Sequence, residues 1–99
     1  MAHKLVSLHH ANDGIHKFIV KLVDSSNQLH TIKFGAKGYS DYTINKDSER
    51  KERYIARHKK KEDWTSKGVL TAGFWSRWLL WNKPTLQASL NNVIEMFHL

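Results

Sequence analysis

The chain has no cysteine, one proline and five glycines in 99 residues. The missing cysteine removes disulfides and thiolate metal sites and is compatible with a reducing compartment. Glycine and proline this sparse leave no low-complexity stretch, and no internal repeat is present. Long apolar runs are absent too. None comes near the ~20 residues that a membrane-spanning helix needs, and the opening stretch MAHKLVSLHHANDG lacks the apolar centre of a secretory signal. Cytosolic, nuclear or virion-internal placement is the expectation by elimination, and secretion or membrane insertion is not.

Carboxylates are scarce as well. Nine Asp and Glu stand against 16 Lys and Arg, a formal charge of +7. A field of that sign favours polyanionic partners: nucleic acid, an anionic membrane surface or an acidic protein. With 40% hydrophobic residues the chain carries more core-forming side chains than a disordered basic tail would. A single domain over residues 1–99 is expected, with a small core that hides roughly 60–70% of the unfolded surface.

The first third alternates. In HKFIVKLVD, Phe18, Val20 and Leu22 occupy one face and Lys17 and Lys21 the other, where Ile19 and Val23 add some apolar character. KLVSLH before it reads as a weaker strand, joined through the turn Asn12-Asp13-Gly14. The polar turn DSSNQ leads to LHTIKF, with Ile32 and Phe34 on one face. The expectation is a three-stranded antiparallel meander over residues 3–10, 15–24 and 28–35, then a Gly/Tyr loop over 36–46. A basic helix over 47–62 follows, capped by Asp47 or Ser48, with Glu49 and Arg53 as an i,i+4 pair. Thr71 caps AGFWSRWLLW, and Asn82-Lys83-Pro84 ends that helix and sets Pro84 in the first turn of the next. There Leu86, Leu90, Val93, Ile94 and Phe97 share a face, so residues 71–98 read as an apolar helical pair. The fold class is α+β: a small sheet covered by a Trp-rich and an amphipathic helix, with the basic helix attached.

The stretch ERKERYIARHKKKEDW, residues 49–64, holds seven Lys or Arg in sixteen positions. Arg50, Arg53, Arg57 and Lys60 are spaced by three, four and three, which presents them from one side of a helix, and Lys59 and Lys61 extend the charge. Tyr54 and His58 lie beside the row and either face the body or stack on bases. From Arg53 to Lys61 there is no carboxylate, whereas a helix charged only for solubility interleaves its signs. A solvated face is the plain alternative. Guanidinium groups suit bidentate contact with phosphate oxygens, and ammonium groups add point charge. Zinc-finger spacing, a heptad run and an aromatic RNA-binding sheet motif are all missing, and the 63–70 connection is too long for a helix-turn-helix. Backbone binding governed by counterion release is expected rather than sequence reading.

Three stretches, FGAKGYSDYT, KDSERKERYIARHKKKEDW and TAGFWSRWLLWNKPTLQAS, resemble a family of small basic proteins of unknown function encoded by large double-stranded DNA viruses of algae and amoebae. The resemblance spans about residues 33–90 and leaves the N-terminal strands aside. It implies a viral origin and a role in the particle or with the viral genome. It implies no reaction, cofactor or catalytic residue.

Trp75, Trp78 and Trp81 recur at every third position, among Phe74, Leu79 and Leu80. At least two of the three belong to the expected core. A sharper reading is an aromatic docking patch rimmed by Arg77, Lys83 and Trp64, and stacking on single-stranded bases is a third. His9, His10, His16, His30 and His58 lack the spacing of a metal site, although strand pairing could bring His9 or His10 near His16, and no metal is expected. Asp41, Asp47 and His58 could imitate a metal-dependent nuclease site. An Asx-turn at Asp41 and a cap at Asp47 suit the pattern better, as does an Asp41 pair with an arginine of the basic helix.

The reading is a non-enzymatic protein without a cofactor. It contacts the phosphate backbone of nucleic acid, double-stranded DNA first, through Arg50, Arg53, Tyr54, Arg57, His58, Lys59, Lys60 and Lys61. The alternative, from a different class, is a structural protein of a virus particle that docks through Trp64, Trp75, Arg77, Trp78 and Trp81. Its partner is then an acidic virion protein or a second copy in a homo-oligomer.

Overall fold

The alternating first third forms three strands, β1 (Lys4–His10), β2 (His16–Val23) and β3 (Leu29–Ala36), in a computed structural model that describes residues 3–99. They pair antiparallel in the order β1-β2-β3. Across β2 and β3, Phe18 faces Phe34 and Val20 faces Ile32, so the middle of one face of the sheet is apolar, with His16 and His30 at its two ends. In β1, Leu5 and Leu8 are an odd number of residues apart and a regular strand would place them on opposite faces. A bulge solves this. Leu5 pairs with Leu22 and Ser7 with Lys21, leaving Val6 as the extra residue, exposed to solvent, while Leu5 and Leu8 both reach the core face.

Each hairpin turn is built around an aspartate. Asp13 Oδ1 accepts from the backbone N–H of Ile15 and His16, and Asp24 Oδ1 from those of Ser26 and Gln28. The second oxygen of each contacts a histidine, His16 at 2.7 Å and His30 at 2.8 Å. These hydrogen bonds hold both carboxyls below the ordinary aspartate range, Asp13 chiefly through the His16 backbone and Asp24 chiefly through the His30 ring.

After β3 the 36–46 segment contains a short helix, α1 (Tyr42–Asn45), where the sequence suggested only loop. Asp41 caps it by accepting from the Thr43 N–H. The basic helix α2 (Ser48–His58) starts at an Asp47 cap and ends at His58, short of the 47–62 range that its charge pattern suggested. Lys59 to Lys61 lie in a tight turn closed by the Lys61 N–H donating to the His58 carbonyl. The tryptophan segment begins as α3 (Ala72–Trp75), capped by Thr71, and widens into a π-helical turn over Ser76–Leu80, closed by the Trp81 N–H donating to Ser76. That wider turn lets three consecutive large side chains, Leu79, Leu80 and Trp81, all be buried. The last helix, α4 (Leu86–Phe97), is capped by Thr85, so Pro84 precedes the helix instead of opening it. Ser89 ties this connection down by accepting from the Lys83 N–H.

The core forms where the apolar sheet face meets the tryptophan segment. Trp75 is completely buried, its Nε1–H donating to the Val69 carbonyl at 2.7 Å and its ring beside Phe34. On the far side of that segment, α4 contributes Val93 and Phe97, and Phe97 meets Phe74 edge to face.

Two measurements check this account. Replacing Val6 by Ser should change stability by no more than about 0.5 kcal/mol. Deleting Val6 should leave Leu5 and Leu8 two residues apart on one face of a regular strand, so that both stay on the core side and urea unfolding changes by less than about 1 kcal/mol. The Asp13 and Asp24 carboxyls titrate lower in the folded chain than the ordinary value of 3.8, so their stabilisation is present above that pH and is lost as the pH falls through their folded values. A D13N/D24N double variant should therefore lose less thermal stability between pH 5 and pH 2 than the parent, by calorimetry.

Candidate nucleic-acid interface

Helix α2 has two faces with different jobs. Lys51, Tyr54, Ile55 and His58 fall at offsets 0, 3, 4 and 7 and turn toward the body. Tyr54 is 7% exposed, with its ring between His58 at 4.2 Å and Trp81 at 4.5 Å, the latter nearly parallel at 7°. Burial raises its phenol far above the ordinary range, and the nearby Glu62 charge adds to this. Tyr54 and His58 thus take the first of the two placements open to them. They support the helix from below, and Tyr54 has neither ring face free to stack on a base.

Lys51 donates to the Asn82 carbonyl at 2.7 Å and lies over the Tyr42 ring. Arg77 donates to the Trp81 carbonyl at 2.7 Å and is held between the Trp64 and Trp78 rings. Both cations thereby sit at the carbonyl end of the tryptophan segment, where the backbone dipole favours positive charge. Burial depresses the Lys51 ammonium, helped by repulsion from Arg77 and Lys83, and burial likewise lowers the Arg77 guanidinium.

The other face carries Arg50, Arg53 and Arg57, and the turn beyond it Lys59, Lys60 and Lys61. All six are exposed. Among the described residues none of them enters an ion pair. The expected Glu49–Arg53 pair is not made, since two exposed flexible side chains gain little by holding one geometry in water. The two carboxylates that follow the lysines have other partners. Glu62 contacts His58 Nδ1 at 2.9 Å and accepts from the Trp64 indole at 2.9 Å. Asp63 accepts from the Thr65 hydroxyl and N–H, which holds its carboxyl below the usual range.

A cleft of about 540 Å³ runs along the inner edge of the arginine row, between α2, the 36–46 segment and the start of α3. Tyr54, Leu80 and Trp81 give it a buried lining, and Lys17, Ser40, Asp41, Arg50, Arg57, His58 and Glu62 supply its polar groups. Asp41 is almost fully buried and pairs with the Lys17 ammonium at 2.5 Å, not with an arginine of the basic helix. Gly35 makes this approach feasible: a Cβ there would stand 2.9 Å from Leu80 and 3.1 Å from Lys17 Cβ, and its φ of 77° suits glycine.

The remaining sequence candidates separate. Asp41, Asp47 and His58 do not form one centre, because each is engaged elsewhere: Asp41 with Lys17 and α1, Asp47 in capping α2, and His58 with Glu62. His10 pairs across the sheet with Phe18 and its ring lies on that ring, so strand pairing does not bring it to His16. Among the described residues no three His, Asp or Glu converge as metal ligands. The docking patch read from the tryptophans is corrected as well. Trp75 and Trp81 are interior rings, Trp64, Arg77 and Trp78 are half-buried, and Lys83 is exposed. The Lys17–Asp41 pair escaped sequence reasoning because its partners are 24 residues apart, whereas the i,i+4 spacing of His58 and Glu62 was a usable signal.

The family model described as "Family of unknown function (DUF5754)" matches residues 6–58, and the chain belongs to that family. The match takes in the three strands, which the resemblance read from the sequence left aside, and stops at the end of α2 before the tryptophan segment. It includes Lys17, Asp41, Arg50, Arg53 and Arg57. No curated protein and no solved structure matches the chain.

The platform under α2 is testable by stability. Tyr54→Ala should cost about 3–5 kcal/mol in denaturant unfolding, the range for truncating a buried aromatic. Tyr54→Phe keeps the ring stack and should cost less than about 1 kcal/mol.

Proposed function

We propose that this member of the DUF5754 family is a non-enzymatic nucleic-acid-binding protein that grips the phosphate backbone without strong sequence preference. Arg50, Arg53 and Arg57 on α2 and Lys59, Lys60 and Lys61 in the following turn are its phosphate contacts, and double-stranded DNA is its target. The observation that carries the reading is the asymmetry of pairing. Among the described residues, six cations project from one helix and its terminal turn without a carboxylate partner, while Glu62 and Asp63 beside them are bound elsewhere. Unpaired exposed guanidinium and ammonium groups favour phosphate, and each phosphate they neutralise releases condensed counterions.

The three stretches that resemble proteins of large DNA viruses point to a viral genome as that DNA, with the protein in the virion or in the infected cell. The rival reading, a particle protein docking through its tryptophan helix to an acidic neighbour or a second copy, has less support. Two of its three named helix tryptophans are interior.

Titration of a non-specific duplex at several salt concentrations tests the proposal. If about five phosphates are engaged, log K should fall with log[salt] at a slope of about −4 to −5. Arg53→Ala should weaken binding to all sequences alike and reduce the slope by about 1. Absence of binding at low salt would remove the proposal.

A further inference from the structure

The arginine row accounts for the outer surface of α2 and leaves the cleft beside it unused. Both carboxylates in that cleft are engaged internally, Asp41 in an ion pair with Lys17 and Glu62 in hydrogen bonds with His58 and Trp64, whereas Arg50 and Arg57 have no ion-pair partner among the described residues. Ser40 Oγ accepts from the Asn45 amide at 3.1 Å, which leaves its own hydrogen free to donate. The volume of about 540 Å³ falls within the range of small-ligand pockets, roughly 300–1,000 Å³, and a double helix cannot enter it. Tyr39 also lines the cleft, 73% exposed, on a tight turn closed by its N–H donating to the Ala36 carbonyl at 3.2 Å, with Gly38 at φ 90°. An aromatic ring held open to solvent beside two unpaired arginines matches the chemistry of a nucleotide, an apolar flat base joined to a phosphate.

We propose that this cleft is a subsite for one unpaired nucleotide unit, its phosphate between Arg50 and Arg57 with the Ser40 hydroxyl as a further donor, and its base on the Tyr39 ring. Arg50 and Arg57 stand two helical turns apart, about 10.5 Å along the axis, and two long side chains close that distance from either side of one phosphate. The inference rests on the nucleic-acid reading and deepens it, since the row would hold the backbone of a strand while the cleft takes a base that is not paired. A free nucleoside monophosphate presents the same chemistry.

The test follows backbone and arginine side-chain signals of the full chain by ¹⁵N NMR. The ligands are thymidine monophosphate, thymidine, a dT hexamer and a blunt duplex. Thymidine monophosphate or the hexamer should shift Tyr39, Ser40, Arg50 and Arg57, and thymidine alone should not. A response to the hexamer only identifies a strand as the source, and a response to both includes the free nucleotide. Tyr39→Ala should weaken the hexamer about tenfold, within the range of one lost base stack, and leave the duplex unchanged, while Tyr39→Phe should bind as the parent does. If neither the mononucleotide nor the hexamer perturbs the cleft while the duplex still binds with its salt dependence, the subsite is overturned and the backbone reading stands. If the duplex fails too, the reading beneath it falls.

Discussion

The arrangement depends on how α2 is seated. Tyr54 slides its ring between His58 and Trp81, and Lys51 reaches the Asn82 carbonyl at the end of the tryptophan segment. Ring stacking supplies apolar contact with a fixed orientation, and the cation on the helix-terminal carbonyls fixes the rotation of α2 about its own axis. With that rotation set, Arg50, Arg53 and Arg57 lie on the exposed side of the helix, Arg50 and Arg57 at the edge of the cleft. The tryptophan segment serves two neighbours at once, Trp75 filling the sheet side of the core and Trp81 forming the seat of α2.

Charge separation on so basic a chain is achieved by giving the nearby carboxylates structural duties. Asp13 and Asp24 build turns, Asp41 and Asp47 cap helices, Glu62 bridges His58 and Trp64, and Asp63 holds Thr65. An acid committed to backbone or side-chain donors is a poor partner for a mobile lysine a few residues away. The positive surface is thus as much a product of where the acids are occupied as of how many bases there are.

The architecture was legible where local pattern and tertiary need agree. Period-two alternation in Phe18, Val20 and Leu22, the turns at Asp13 and Asp24, and the face shared by Leu86, Leu90 and Val93 are local signals that burial reinforces. The caps at Asp47 and Thr71 were legible for the same reason. What failed was non-local. Lysine is a good helix former, so its run suggests a longer α2, whereas the chain tightens after His58, with the Lys61 N–H bonding to the His58 carbonyl three residues back. The start of α4 was misplaced because Pro84 suits a first helical turn, whereas Thr85 is the residue that caps. The cleft could not be read at all, since its walls come from Lys17, Asp41, Arg57 and Gly73, which only the fold brings together.

The extra residue at Val6 bears on more than the register of Leu5. A three-stranded open sheet has two unsatisfied rims, and β1 is one of them. A straight rim of free amide and carbonyl groups invites another chain to add a strand, the first step toward fibrous aggregates. The irregularity between Leu5 and Ser7 bends that rim and breaks the even spacing such a visitor would need. The kink that rescues the inner packing therefore also guards the protein against sticking to itself.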